Sequence, residues 1–182
     1  MILTHYFPVI VCDNDLSNPQ IISNITEYSA SEQQTIAKQL SRCPGRALRR
    51  FDQFSNYIYK RKETEKWLYS EFLKAGGQPS SMCPFYFVVG ESQQLKKDFG
   101  ECTKTIQLDT CLISHNHISF TLGDSVGLFY SSAPHQIYLL CQLENLLSNP
   151  TFIQQQMKPL KLCHHYIEAQ LWDKHYLNEM II

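Results

Sequence analysis

The spacing of apolar residues changes once along this chain, at Gly76-Gly77, and that change narrows the folds open to it. Ahead of the glycines, Phe54, Tyr57, Ile58, Leu68 and Phe72 recur on one stripe at helical spacing. This predicts a helix over about 52–75 that the glycine pair stops. Beyond them the period shortens. Pro84-Phe85-Tyr86-Phe87-Val88-Val89 is a continuous apolar run, as a strand buried on both faces would carry. Residues 105–108, 117–122 and 166–172 alternate polar with apolar, the pattern of half-buried strands. A strand over 1–12 and a helix over about 31–42, capped by Ser29 or Ser31, precede the long helix. Ser92 can cap a short helix through Leu95 and Phe99. After a turn at Gly123-Asp124, Val126–Tyr130 reads as another strand, and Pro134 opens a further helix through Leu147. Strand, two helices and then mostly strands is an α+β order, not a βαβ repeat. The expectation is one domain over 1–182 with a mostly antiparallel or mixed sheet.

A chain of 182 residues is long enough to bury a single core. Its modest charged fraction, 18%, and its 12% aromatics speak against disorder. A formal net charge of −1 excludes a nucleic-acid binder that works through bulk positive charge. No segment approaches the run of ~20 apolar residues that crosses a membrane, and the first residues lack a basic leader. The seven cysteines form no C-x-x-C pair and read as small buried hydrophobes in a reducing compartment. A cytoplasmic protein without a membrane partner is expected.

Charge is nevertheless unevenly placed. Arg42, Arg46, Arg49, Arg50, Lys60, Arg61 and Lys62 are opposed within 42–62 by Asp52 alone, a net +6 that leaves −7 for the rest. Arg forks match phosphate oxygens, so Arg49 and Arg50 are candidates for a phosphate-bearing ligand; a solvated helix face is the plainer reading. Tyr57, Arg61 and Glu65 follow one another at four-residue steps on the apolar stripe of the long helix. Charges there are costly unless paired, so Arg61 and Glu65 either form a structural ion pair or line a cleft.

Three local motifs offer other chemistries. Gly123-Asp124-Ser125-Val126-Gly127 matches the G-x-S-x-G elbow of serine hydrolases, but a strand after Ser125 would remove the helix that the elbow needs. His115-x-His117 and Cys163-His164-His165 are dense in ligating atoms without the converging spacing of a zinc site, so no metal is expected. Asn24-Ile25-Thr26 fits a glycosylation sequon that the expected compartment makes irrelevant. On the late strand, Glu168 and Gln170 share a face with Tyr166 and Trp172. A carboxylate so flanked suits a general base or cation stabiliser, and equally the polar outer face of an edge strand. His5 on the first strand and Ser119 and Thr121 on a middle strand complete the candidate set.

Thr4-His5-Tyr6-Phe7, the Tyr57/Arg61/Glu65 helix ending in Gly76-Gly77-Gln78-Pro79, Ser119-Phe120-Thr121-Leu122-Gly123-Asp124-Ser125 and Tyr166-Ile167-Glu168-Ala169-Gln170-Leu171-Trp172 resemble, in order, a group of small, largely uncharacterised bacterial proteins. That group brings no activity with it. The order of His5, Ser119-Phe120-Thr121 and Glu168 is more remotely similar to ADP-ribosyltransferases. The resemblance implies that His5 grips NAD, that the middle strand shapes the pocket, that Glu168 stabilises an oxocarbenium-like state and that Arg61 or Arg49 meets the pyrophosphate. The chain departs from it in placing Glu168 ahead of Gln170, and in having no helix directly after the first strand. The expected function is binding of a phosphate-bearing small ligand, with NAD as the candidate cofactor. The alternative is a non-catalytic module whose basic helix docks on an acidic protein or a nucleic acid.

Overall fold

The computed structural model describes residues 1–8, 24–100, 103–149, 151 and 166–179. Its strands are β1 (Ile2–Pro8), β2 (Phe85–Val89), β3 (Thr103–Asp109), β4 (Ile118–Leu122), β5 (Tyr138–Leu139) and β6 (Ile167–Leu171). They form one sheet in the order β3-β1-β2-β6-β4-β5, and every neighbouring pair is antiparallel. The helices are α1 (Ala30–Leu40), α2 (Phe54–Lys74), α3 (Gln93–Phe99), α4 (Ser125–Phe129) and α5 (Leu140–Leu147). The α+β reading, with its N-terminal strand, helices and sheet, is what the chain adopts.

Alternation along the strands divides the side chains between two faces. One face carries Leu3, Phe7, Phe85, Phe87, Ile106, Leu108, Ile118, Phe120, Leu122, Ala169 and Leu171, and buries them under Leu140 and Leu143 of α5 and Tyr176 of the C-terminal 3-10 turn. The other face is polar at its centre: Thr4, Ser119, Thr121, Glu168 and Gln170 are all buried. Helix α2 covers it at one end, where Leu68 and Phe72 meet Ile137 and Trp172; the Phe72 and Trp172 rings stack 5.1 Å apart. At the other end, α1 and the 3-10 turn Arg46–Gln53 close a second cluster of Ile25, Ile36, Leu40, Leu48 and Phe51.

Several local readings change. Helix α1 starts at Ala30 under a capping box in which Ser29 and Glu32 exchange hydrogen bonds, so Ser29 rather than Ser31 is the cap. The basic stretch before α2 is a 3-10 turn and not part of the long helix. Val126–Tyr130 is not a strand: Ser125–Phe129 is a one-turn helix, because Asp124 caps it by accepting from the Gly127 N–H at 2.7 Å. Pro134 does not open a helix; Tyr138-Leu139 pairs with β4 first, and α5 begins at Leu140. The strand β6 is central rather than an edge, since β2 and β4 flank it. Of the cysteines, Cys12, Cys102 and Cys163 lie outside the described residues. Cys43, Cys83, Cys111 and Cys141 are free thiols and none is buried, against the expectation of small core residues. Among the described residues no helix is long and apolar enough to cross a membrane.

Candidate functional site

The polar face of the sheet opens into a cavity of about 330 Å³ beneath the Arg46–Gln53 turn. Thr4, Val88 and Glu168 stand in register across β1, β2 and β6 and form its floor. The walls come from Asn24, Leu48, Arg50, Phe51, Tyr57, Arg61, Tyr86, Phe99, Asp124 and Tyr166. The size is at the lower end of cavities that hold small ligands, roughly 300–1,000 Å³.

Arg61 enters this wall from α2, and both alternatives drawn for it hold together. Its Nε donates to Glu65 Oε1 at 2.9 Å, and its guanidinium carbon lies 3.4 Å from the centre of the Tyr86 ring. Glu65 is itself saturated: Asn24 Nδ2 donates to Oε1 at 2.8 Å, Thr26 Oγ1 to Oε2 at 2.6 Å and Tyr86 Oη to Oε1 at 3.2 Å. Burial opposes the Arg61 charge, but Tyr86, Tyr57, Glu65 and Glu168 outweigh it and hold the guanidinium firmly protonated. Asn24 is buried and also donates to the Pro84 carbonyl, so the sequon asparagine is a structural clamp.

Arg50 is the exposed cation of the mouth. Its guanidinium sits 5.2 Å from the Tyr57 ring, 5.4 Å from Phe51 and 5.9 Å from Phe99. Three ring faces around one cation restrict its position while leaving its N–H donors at the cavity edge. Asp98 and Asp124 also border the cavity, each held locally, by Gln94 Nε2 at 3.0 Å and by the α4 cap respectively.

Glu168 is 7% exposed and its carboxyl is pushed up to about 7. Burial is the main cause and the Asp124 carboxylate adds to it, while Arg61 and hydrogen bonds from Ser125 and Gln170 pull the other way. Near neutrality this group therefore exchanges a proton, which an ordinary surface glutamate does not. Ser119, Thr121 and Gln170 do not reach the cavity; they lie fully buried behind Glu168 and hydrogen-bond to one another and to it.

The structure brings Arg50, Tyr57, Arg61 and Glu168 to one cavity and separates His5 from them. His5 also borders the cavity. Its ring points to the opposite face, 4.5 Å from Phe85 and 5.8 Å from both Phe7 and Phe87. There Nδ1 donates to the Tyr86 carbonyl at 2.7 Å, and burial lowers the ring's pKa to about 4. The NAD-gripping role that the resemblance gave His5 draws no support from this placement of the ring. Arg49 is exposed and does not line the cavity; Arg46, one turn earlier, does. Asn24, Tyr86 and Asp124 were missed as site residues. Tyr86 alternates with the core residues Phe85 and Phe87, but an uninterrupted apolar run hides that alternation.

The short helix after Ser125 restores the strand–turn–helix form of the elbow, with Gly123 at φ +103. Ser125 Oγ, however, is fully buried and has no hydrogen-bond partner among the described residues, so no base is poised on it. Among the described residues no cluster of histidine, cysteine and carboxylates has the geometry to hold a metal ion. No family model, no curated protein and no solved structure matches the chain.

Proposed function

We propose that the protein binds a small phosphate-bearing ligand in the cavity under the Arg46–Gln53 turn. The observation that carries this is the meeting of Arg50, Arg61 and Glu168 in one cavity. Two fixed guanidiniums supply charge-assisted donors for phosphate oxygens. A carboxyl that titrates near neutrality adds no full negative charge below that point. The nearby acids Asp98 and Asp124 are committed to local donors, which weakens their repulsion of an anion.

NAD remains the candidate cofactor through its pyrophosphate. The reading stops at binding, because the ADP-ribosyl transfer implied by the resemblance would use His5 on the face where Glu168 lies. The rival, a basic surface for a nucleic acid or an acidic protein, would draw on exposed cations such as Arg42, Arg49 and Lys62 instead of the cavity.

Calorimetric titration with pyrophosphate and with NAD tests this. Micromolar to low-millimolar binding by the wild type is expected, with a tenfold or greater loss in Arg50→Gln. Absence of binding by both ligands contradicts the reading. Retention of binding by Arg50→Gln, or a steep salt dependence with oligonucleotides alone, favours the rival.

A further inference from the structure

Behind Glu168 runs a chain of hydrogen bonds whose direction can be fixed at both ends. Trp172 Nε1–H can only donate, and it donates to Ser119 Oγ at 2.9 Å. Ser119 therefore accepts there and uses its own proton toward Gln170 Oε1, 3.0 Å away. At the other end the Gly123 carbonyl can only accept, and Thr121 Oγ1 donates to it at 2.9 Å. Thr121 is thus left to accept from Gln170 Nε2 at 3.1 Å. Both anchors impose the same orientation on the Gln170 amide, whose nitrogen also donates to Glu168 Oε1 at 3.1 Å. The backbone N–H of Ser125 donates to that same oxygen at 3.4 Å. With two donors directed at it, Oε1 has no lone pair left for a proton.

We propose that Trp172, Ser119 and Gln170 act as positioning residues that confine the Glu168 proton to Oε2, so that Glu168 meets the ligand as a hydrogen-bond donor when protonated and repels it when ionised. The donor role toward a ligand rests on reading the cavity as an anion site; the placement of the proton does not. The other groups facing the carboxyl are Asp124 from the β4–α4 turn, Arg61 from α2, Tyr86 from β2 and Tyr166 ahead of β6. Arg61 stays charged across the neutral range and the two phenols stay neutral, both being raised by burial first of all. Asp124 caps α4 as an acceptor. Between pH 6 and 8 the charge next to the ligand thus changes at Glu168.

The test is the titration of the Glu168 carboxyl carbon by NMR in protein labelled at glutamate Cδ, its signal assigned by loss in Glu168→Gln. A wild-type midpoint near neutrality is expected. Ser119 and Thr121 make no hydrogen bond to Glu168, yet Ser119→Ala combined with Thr121→Val removes both anchors and frees Gln170 to turn its oxygen toward the carboxyl, which favours the protonated form. The midpoint should rise by about one pH unit in this double variant, and Ser119→Thr combined with Thr121→Ser, which keeps both hydroxyls, should leave it at the wild-type value. Gln170→Leu should also raise it, by removing a donor to the ionised form. An unmoved midpoint in the folded double variant overturns the proposal. If that variant does not fold, an unmoved or lowered midpoint in Gln170→Leu overturns it.

Pyrophosphate binding at pH 6 and pH 8 supplies the ligand arm. The wild type should lose several-fold more affinity over this range than Glu168→Gln, in which no carboxyl titrates. Equal losses overturn the donor role. Absence of pyrophosphate binding at both pH values overturns the anion-site reading, and with it the donor role, while the NMR arm still decides where the proton sits.

Discussion

At the scale of single residues, the two titratable groups of the central strands make opposite demands on pH. Glu168 in the folded protein holds its proton up to about 7, against an ordinary 4.5. Its contribution to stability is full below the ordinary value and is lost as pH rises from about 4.5 through about 7. The loss is on the order of 3 kcal/mol for a shift of this size. Glu168→Gln mimics the protonated group. Urea unfolding should find it more stable than wild type at pH 8 by roughly 1–3 kcal/mol and nearly equal at pH 4. His5 behaves the other way. Its pKa falls from 6.5 to about 4 on burial, so the stability tied to its neutral ring is present above 6.5 and lost as pH drops toward 4. His5→Asn keeps a donor for the Tyr86 carbonyl without titrating. It should flatten the acid limb of the stability profile between pH 6.5 and 4, at a cost of about 1 kcal/mol at pH 7.5 from lost ring packing.

At the scale of elements, the Arg46–Gln53 turn deserves its place over the cavity to a tight backbone crossing. A Cβ on Gly45, whose φ is +155, would meet the Phe99 carbonyl oxygen at 2.6 Å, and one on Gly100 would collide with the Pro44 carbonyl. Gly45→Ala should therefore cost about 2 kcal/mol in urea unfolding. It should also weaken phosphate-ligand binding more than Gly76→Ala does, since Gly76, where φ +93 strains an alanine too, lies beyond the far end of α2 from the turn. The periodic elements were legible. The α2 stripe and the alternation of β4 and β6 follow directly from side-chain spacing, and so does the shared face of Glu168 and Gln170. Elements set by a single capping contact were not. Val126–Tyr130 has the composition of a strand, and only the Asp124 side chain, turned onto the Gly127 N–H, makes it a helix. Tyr138-Leu139 is too short for any period to register, and its pairing with β4 is a tertiary choice.

At the scale of the whole molecule, strand order was beyond reach of the sequence because it depends on which edges meet, not on what each strand contains. That order decides the site. With β6 between β2 and β4, Glu168 becomes a buried carboxyl on a polar sheet face instead of a solvated group at an edge. Opposite faces of one strand likewise separate His5 from Thr4, a distinction of one residue that a linear comparison of motif order does not register. The charge segregation of the sequence survives in altered form: within the basic window Arg46, Arg50 and Arg61 border the cavity, and Arg42, Arg49 and Lys62 face outward. The most direct test of the account is a map of backbone amide shifts on titration with pyrophosphate. Perturbations should cluster on Thr4, Arg46–Phe51, Tyr57, Tyr86 and Glu168. A cluster on the outer basic residues instead, or no saturable change anywhere, would contradict the claim that this cavity is an anion-binding site.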